Sequence, residues 1–161
     1  MPSTYDKIAT YTVPSSTSSY TFSSIPATYT DIVIIVGGTG SGDASLMMRF
    51  NGDTGNNYST TYLYGTGSSA VSGRVANDSW IVAMGRINTT GGASVINIQN
   101  YSNTTTYKTA LGRGSGAATL VIAGVGVWRS TTAINSITLS PESGQSFSTG
   151  AVLTLYGIKA A

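Results

Sequence analysis

Few residues in this 161-residue sequence could do chemistry, and the strongest combinations are missing. There is no histidine and no cysteine. No Ser-His-Asp or Cys-His nucleophile can therefore be assembled, and the usual ligands of zinc, haem and iron–sulfur clusters are lacking. The six acids are Asp6, Asp31, Asp43, Asp53, Asp78 and Glu142, and they are dispersed, most of them beside turn residues. Glycoside hydrolysis needs two carboxylates flanking one bond, and nothing in the spacing of these acids pairs them. The sequence predicts no catalytic residue, no cofactor and no enzyme.

Three segments invite a chemical reading. Val36-Gly-Gly-Thr-Gly-Ser-Gly42 follows an apolar run as a phosphate-binding loop would. It lacks the Lys-Ser/Thr ending, and only seven residues separate Asp43 from the next turn, too few for the helix that such a loop must open. A flexible hairpin loop is expected. Phe50-Asn-Gly-Asp-Thr-Gly-Asn-Asn-Tyr58 gathers the oxygens of Asn51, Asp53 and Asn57. Calcium takes about six to eight oxygens and usually several carboxylates, whereas only Asp53 is charged here, so a tight turn without a metal is predicted. The third group is aromatic. Tyr58, Tyr62 and Tyr64, with Trp128, could stack on sugar rings or form a subunit interface, and aromatic residues equally favour strands and sandwich cores. Five triplets, at Asn57, Asn77, Asn88, Asn100 and Asn103, match the glycosylation acceptor pattern, as an Asn-, Ser- and Thr-rich chain produces by chance.

The elements that must position these residues are strands. Charged residues are only 9% of the chain, against about 25% in a typical globular protein, so hydroxyls and amides must carry the surface. The net charge of +2 and the scattering of eight basic residues give no basic stripe, and no nucleic-acid partner is expected. The N-terminus does not read as a secretory signal, and no apolar run approaches the ~20 residues of a membrane span, so no membrane partner is expected. Strand candidates are Thr10 to Val13, Ser19 to Phe22, Asp31 to Val36, Ala44 to Phe50, the alternating Tyr58 to Tyr64, Ser79 to Arg86, Val95 to Gln99, Ala118 to Trp128, Ile134 to Leu139 and Ala151 to Ile158. About ten short antiparallel strands with turn residues between them indicate an all-β, jelly-roll-type β-sandwich. Residues 1–161 read as one such domain, with residues 1–16 as an N-terminal arm. Asp31 to Val36 and Ala118 to Val127 are apolar on both faces, which predicts that something covers the outer one: a long loop, the N-terminal arm or a neighbouring subunit.

Several segments together resemble a known family. They are Tyr20-Thr-Phe-Ser-Ser-Ile-Pro-Ala-Thr-Tyr-Thr-Asp-Ile-Val33, Met48-Arg-Phe-Asn-Gly-Asp-Thr-Gly-Asn-Asn-Tyr58 and Ile98-Gln-Asn-Tyr101 with Tyr107-Lys108. Trp128-Arg-Ser-Thr-Thr-Ala-Ile134 and the ending Gly150-Ala-Val-Leu-Thr-Leu-Tyr-Gly-Ile158 complete the set. In order and over most of the chain they resemble virion structural domains of tailed bacteriophages, particularly those of aquatic bacteria. The resemblance implies a non-enzymatic virion structural protein, made in the host cytoplasm and carried on the virion surface. It also implies a homo-oligomer, with three as the number, and other virion proteins as partners, either the capsid lattice or a tail adaptor. A tail fibre would add a shaft of heptads or long repeats. None is seen, and domain-like sequence begins close to Met1, so a capsid decoration or cement protein is the expectation. The alternative is a receptor-binding fibre or spike tip reading host polysaccharide, with Tyr58, Tyr62, Tyr64 and Trp128 as candidate contacts.

Overall fold

The computed structural model describes residues 4–116 and 120–159. These form twelve strands: β1 (Tyr5–Thr12), β2 (Tyr20–Phe22), β3 (Asp31–Gly38), β4 (Ala44–Phe50), β5 (Tyr58–Gly65), β6 (Ala70–Asp78), β7 (Arg86–Ile87), β8 (Gly92–Gln99), β9 (Lys108–Gly116), β10 (Leu120–Trp128), β11 (Ile137–Pro141) and β12 (Val152–Ile158). No helix is present among the described residues. An eight-stranded sheet in the order β1-β12-β3-β8-β9-β10-β5-β6 faces a four-stranded sheet in the order β2-β11-β4-β7.

This order is a jelly roll with two additions. β1 pairs with β12, β2 with β11, β3 with β8 and β4 with β7, all antiparallel, as in one long ribbon rolled into two sheets. Into the roll are set two further antiparallel pairs, β5–β6 and β9–β10, which lie side by side and extend the larger sheet past the smaller one. The expected all-β sandwich is therefore observed, with four strands beyond the eight of the roll.

Alternation fixes the faces. In β3, Ile32, Ile34 and Val36 point inward, as do Ile96 and Ile98 of β8 and Leu153 and Leu155 of β12. They meet Leu46, Met48 and Phe50 of β4 and Ile137 and Leu139 of β11 across one continuous core. Each large side chain so buried contributes roughly 1.5–3 kcal/mol.

The additions close their inner face differently. Their inward positions include Gly112 on β9 and Gly124 and Gly126 on β10. A Cβ at Gly112 would lie 2.6 Å from the Cα of Met84, and one at Gly126 would lie 2.2 Å from a methyl carbon of Ile81. The glycines thus admit the chain between Asp78 and Arg86, which presses Ile81 and Met84 onto the sheet. This segment runs beside β4, with Ile81 and Met48 exchanging both backbone hydrogen bonds and Met84 donating to Leu46. Ala83 (φ 59°) and Gly85 (φ 154°) break its extended course. Arg49 pins its start, with the guanidinium 3.8 Å from the Trp80 ring centroid and Nε donating to the Ser79 carbonyl.

Several local expectations are corrected. Residues 5–12 are not an arm but the edge strand β1, hydrogen-bonded to β12. Residues 1–3 lie outside the described residues. The Gly-rich stretch after Val36 is no hairpin loop, because β3 and β4 belong to different sheets. Ser79 to Arg86 is a broken strand, with regular pairing only at Arg86–Ile87. β6 and β9 were absent from the candidates. Residues 118 and 119, which begin the expected Ala118 to Trp128 strand, lie outside the described residues.

Candidate functional site

The Asn51–Tyr58 loop is held by its own turns. Asn51 (φ 51°) and Gly52 (φ 66°) take the left-handed region that Asn and Gly tolerate. The Asn51 amide donates to the Ala133 carbonyl at 2.8 Å and accepts from the backbone N–H groups of Asn135 and Ser136. The Asp53 carboxylate accepts from Gly55 N–H at 2.8 Å, Asn57 Nδ2 at 2.9 Å and Trp128 Nε1 at 2.7 Å. Desolvation works to raise the Asp53 pKa. The three donors, with the charge of Arg49, outweigh it and hold the carboxyl below its ordinary 3.8.

The four candidate aromatics part company here. Tyr58 and Trp128 are buried, at 0% and 3% exposure, and stack on each other with Phe50 alongside. The Tyr58 hydroxyl shares its one proton between the carbonyls of Phe50 and Asp53 and accepts from Phe50 N–H. Burial pushes its pKa up to about 12. These two residues are core, and neither can touch a glycan or a neighbouring subunit.

Tyr62 and Tyr64 share the inward side of β5 with Tyr58 but lie beyond the edge of the small sheet and stay half-buried. Their rings are 6.4 Å apart and 19° from parallel. They line a recess of about 340 Å³ together with Val75, Leu120 and Ile122. Its other wall comes from the small sheet and its connections: Ser45, Val82, Ala83, Arg86 and Glu142, with Asp78 at the end of β6. Two acids that are 64 positions apart in sequence, Asp78 and Glu142, thus meet at one recess, which their spacing gave no sign of. Arg86 is committed elsewhere, donating to Asp43 through Nε at 2.8 Å and to Ser45 Oγ at 3.2 Å.

A second surface is the outer face of the eight-stranded sheet. Cross-strand register places Leu63, Ala123, Arg113, Val95 and Ile35 in one row and Thr61, Val125, Leu111 and Asn97 in the next. Leu63 and Val121 are each 62% exposed, and Ile35, Leu111 and Val125 are also exposed. Arg74 and Arg113 stand on this face without an ion pair among the described residues. Large apolar side chains so grouped mark surface that gains by being covered.

Lys108 is a further buried ionisable group. It is 1% exposed, and its ammonium donates to the carbonyls of Thr106 and Thr131. Burial lowers its pKa. It closes the end of the core beside Trp128, its cross-strand partner.

Fold and surfaces together define a jelly-roll β-sandwich domain with an extended sheet, one apolar outer face and one aromatic recess. Comparison with known proteins finds no matching family model and no matching curated protein.

Proposed function

We propose that the protein is a non-enzymatic structural protein on the exterior of a tailed-phage virion, acting as a capsid decoration or cement protein. The observation that supports this reading is the outer face of the eight-stranded sheet, where Leu63, Val121, Val125, Leu111 and Ile35 are exposed together. A cement protein holds a lattice through area and avidity and needs no pocket. The apolar face supplies such area, either to the capsid lattice or to further copies of this chain in a homo-oligomer, with three as the number implied by the resemblance. Synthesis in the host cytoplasm followed by assembly onto the virion surface completes the reading.

Locating the protein on intact particles by electron microscopy tests it directly. Density over the capsid lattice is expected, and particles depleted of the protein should adsorb to host cells yet break sooner under heat and osmotic shock. Density confined to the tail would overturn the decoration role. At the residue level, Leu63→Asp with Val121→Lys should leave the fold intact and abolish association, read by light scattering.

The second reading is a receptor-binding fibre or spike tip recognising host polysaccharide. The recess holding Tyr62 and Tyr64 favours it, because aromatic faces beside carboxylates and a hydroxyl are what sugars bind. Under this reading depleted particles keep their strength and lose adsorption.

A further inference from the structure

The geometry points to the Tyr62–Tyr64 recess as a binding site for one pyranose ring without an acidic group, bound and not cleaved. This deepens the receptor-tip reading and rests on it for its biological meaning.

The apolar wall comes first. The hydroxyl end of Tyr62 lies over Gly73 on the neighbouring strand, since a Cβ there would come within 2.6 Å of its hydroxyl and 2.7 Å of Cζ. Bare backbone therefore packs against that end of the ring, while the residue also lines the recess. Tyr64 continues the wall as an offset, nearly parallel partner 6.4 Å away, and Val75, Leu120 and Ile122 complete it. A fixed aromatic surface costs little entropy to present and suits the C–H face of a sugar.

The opposite wall carries acceptors. Among the described residues Glu142 makes no side-chain hydrogen bond, and Asp78 accepts only from Trp80 N–H, at 3.1 Å, through one oxygen. Three carboxylate oxygens are thus left to accept from sugar hydroxyls or an amino group. The Arg86 guanidinium is already neutralised by Asp43. A uronic or sialic acid would bring a third negative charge to two uncompensated ones, and like charges in a partly closed site repel. The chemistry selects a neutral or amino sugar. At about 340 Å³ the recess lies at the lower end of the ~300–1,000 Å³ range of ligand sites, which suits one ring and not an oligosaccharide.

The test is a titration of the full chain, labelled for amide NMR, with the methyl pyranosides of glucose, galactose, N-acetylglucosamine, glucosamine and glucuronic acid. Saturable shifts at the amides of Tyr62, Tyr64, Gly73 and Val75 are expected with one or more of the first four, in the millimolar range. Tyr64→Ala should weaken binding at least about tenfold while Tyr64→Phe retains it, since stacking needs the ring and not the hydroxyl. Glu142→Gln should admit the glucuronide. No shift with any of the four at tens of millimolar would overturn the inference, as would shifts indifferent to Tyr64→Ala. Release of methanol that Glu142→Gln abolishes would overturn binding without cleavage. Adsorption assays keep the two ideas apart. Loss of adsorption in depleted particles, with no pyranoside bound, removes the recess and keeps the tip. Binding with normal adsorption keeps the recess and removes the tip.

Discussion

The rolled eight strands and the four inserted ones share one alternating pattern but reach closure by different means. In the roll, each inward side chain meets another across the sandwich: Ile34, Leu155 and Ile96 against Leu46, Met48 and Leu139. In the insertions, Gly112, Gly124 and Gly126 stand where such side chains would be, and a length of irregular chain supplies the missing bulk through Ile81 and Met84. That chain reaches only part of the way along β5. Tyr58 and Thr60 are covered; Tyr62 and Tyr64, on the same side of the same strand, face the recess. A surface for recognition can thus arise where a sheet outgrows its partner, with no change in the pattern of the strand.

The largest effect that would break this comparison is on stability. Phe50→Ala, in the covered half, should cost about 3–5 kcal/mol in urea unfolding through lost burial and the cavity left behind. Tyr64→Ala should cost within about 1 kcal/mol, because its ring is only half-buried. Equal losses would mean that the inserted strands are packed as the roll is.

Gly112→Ala asks whether close approach is the means of closure. The new methyl meets the Cα and carbonyl of Met84, backbone atoms that cannot step aside, and about 1–3 kcal/mol of overpacking should follow. Gly37→Ala, in the roll, meets nothing within 4 Å and serves as the control. Hydrogen exchange should show the Ile81 and Met84 amides losing protection before those of β3 and β12. Simultaneous loss would show that the segment and the roll unfold as one.

The same contrast explains what could be read from the residues. Asp31 to Val36 and Val95 to Gln99 were legible because β-branched and polar residues alternate there. β6 and β9 were not, because Gly73, Gly112 and Gly114 resemble turn residues, and their role is set by chain that arrives from elsewhere. Ser79 to Arg86 has the composition of a strand, yet Ala83 and Gly85 bend it away from one. For the candidate site, alternation assigned Tyr58, Tyr62 and Tyr64 to one side of a strand. Which of them would be covered depends on where the small sheet ends, a tertiary fact. The placing of Asp78 and Glu142 on one recess is tertiary in the same way.

Alkaline pH tests the burial of the covered half. Burial raises the Tyr58 pKa from 10.0 to about 12, and burial likewise raises Tyr101. An acid whose folded pKa is raised contributes stability that is complete below its unfolded value and is lost as pH climbs through the folded one. For Tyr58 stability should therefore fall between pH 10 and about 12, by up to about 1.4 kcal/mol per pH unit. Tyr58→Phe should flatten the slope.

The smallest effect concerns Asp53, where the covered half meets the surface. Its folded pKa is depressed, so the sign is opposite. The stabilisation is complete above the ordinary 3.8 and disappears as pH falls through the lower folded value. Asp53→Asn keeps an acceptor for Trp128 Nε1–H but removes the charge, and should cost about 1 kcal/mol near neutrality while removing this residue's share of the acid slope. Asp53→Ala should cost more, because the indole N–H of Trp128 would be left without its acceptor inside the core. With three protein donors already on the carboxylate, neither calcium nor a chelator should move the melting temperature. A rise of several degrees with calcium, lost in Asp53→Ala, would show that the loop is an ion site and not the hydrogen-bonded seal on the aromatic core that its geometry describes.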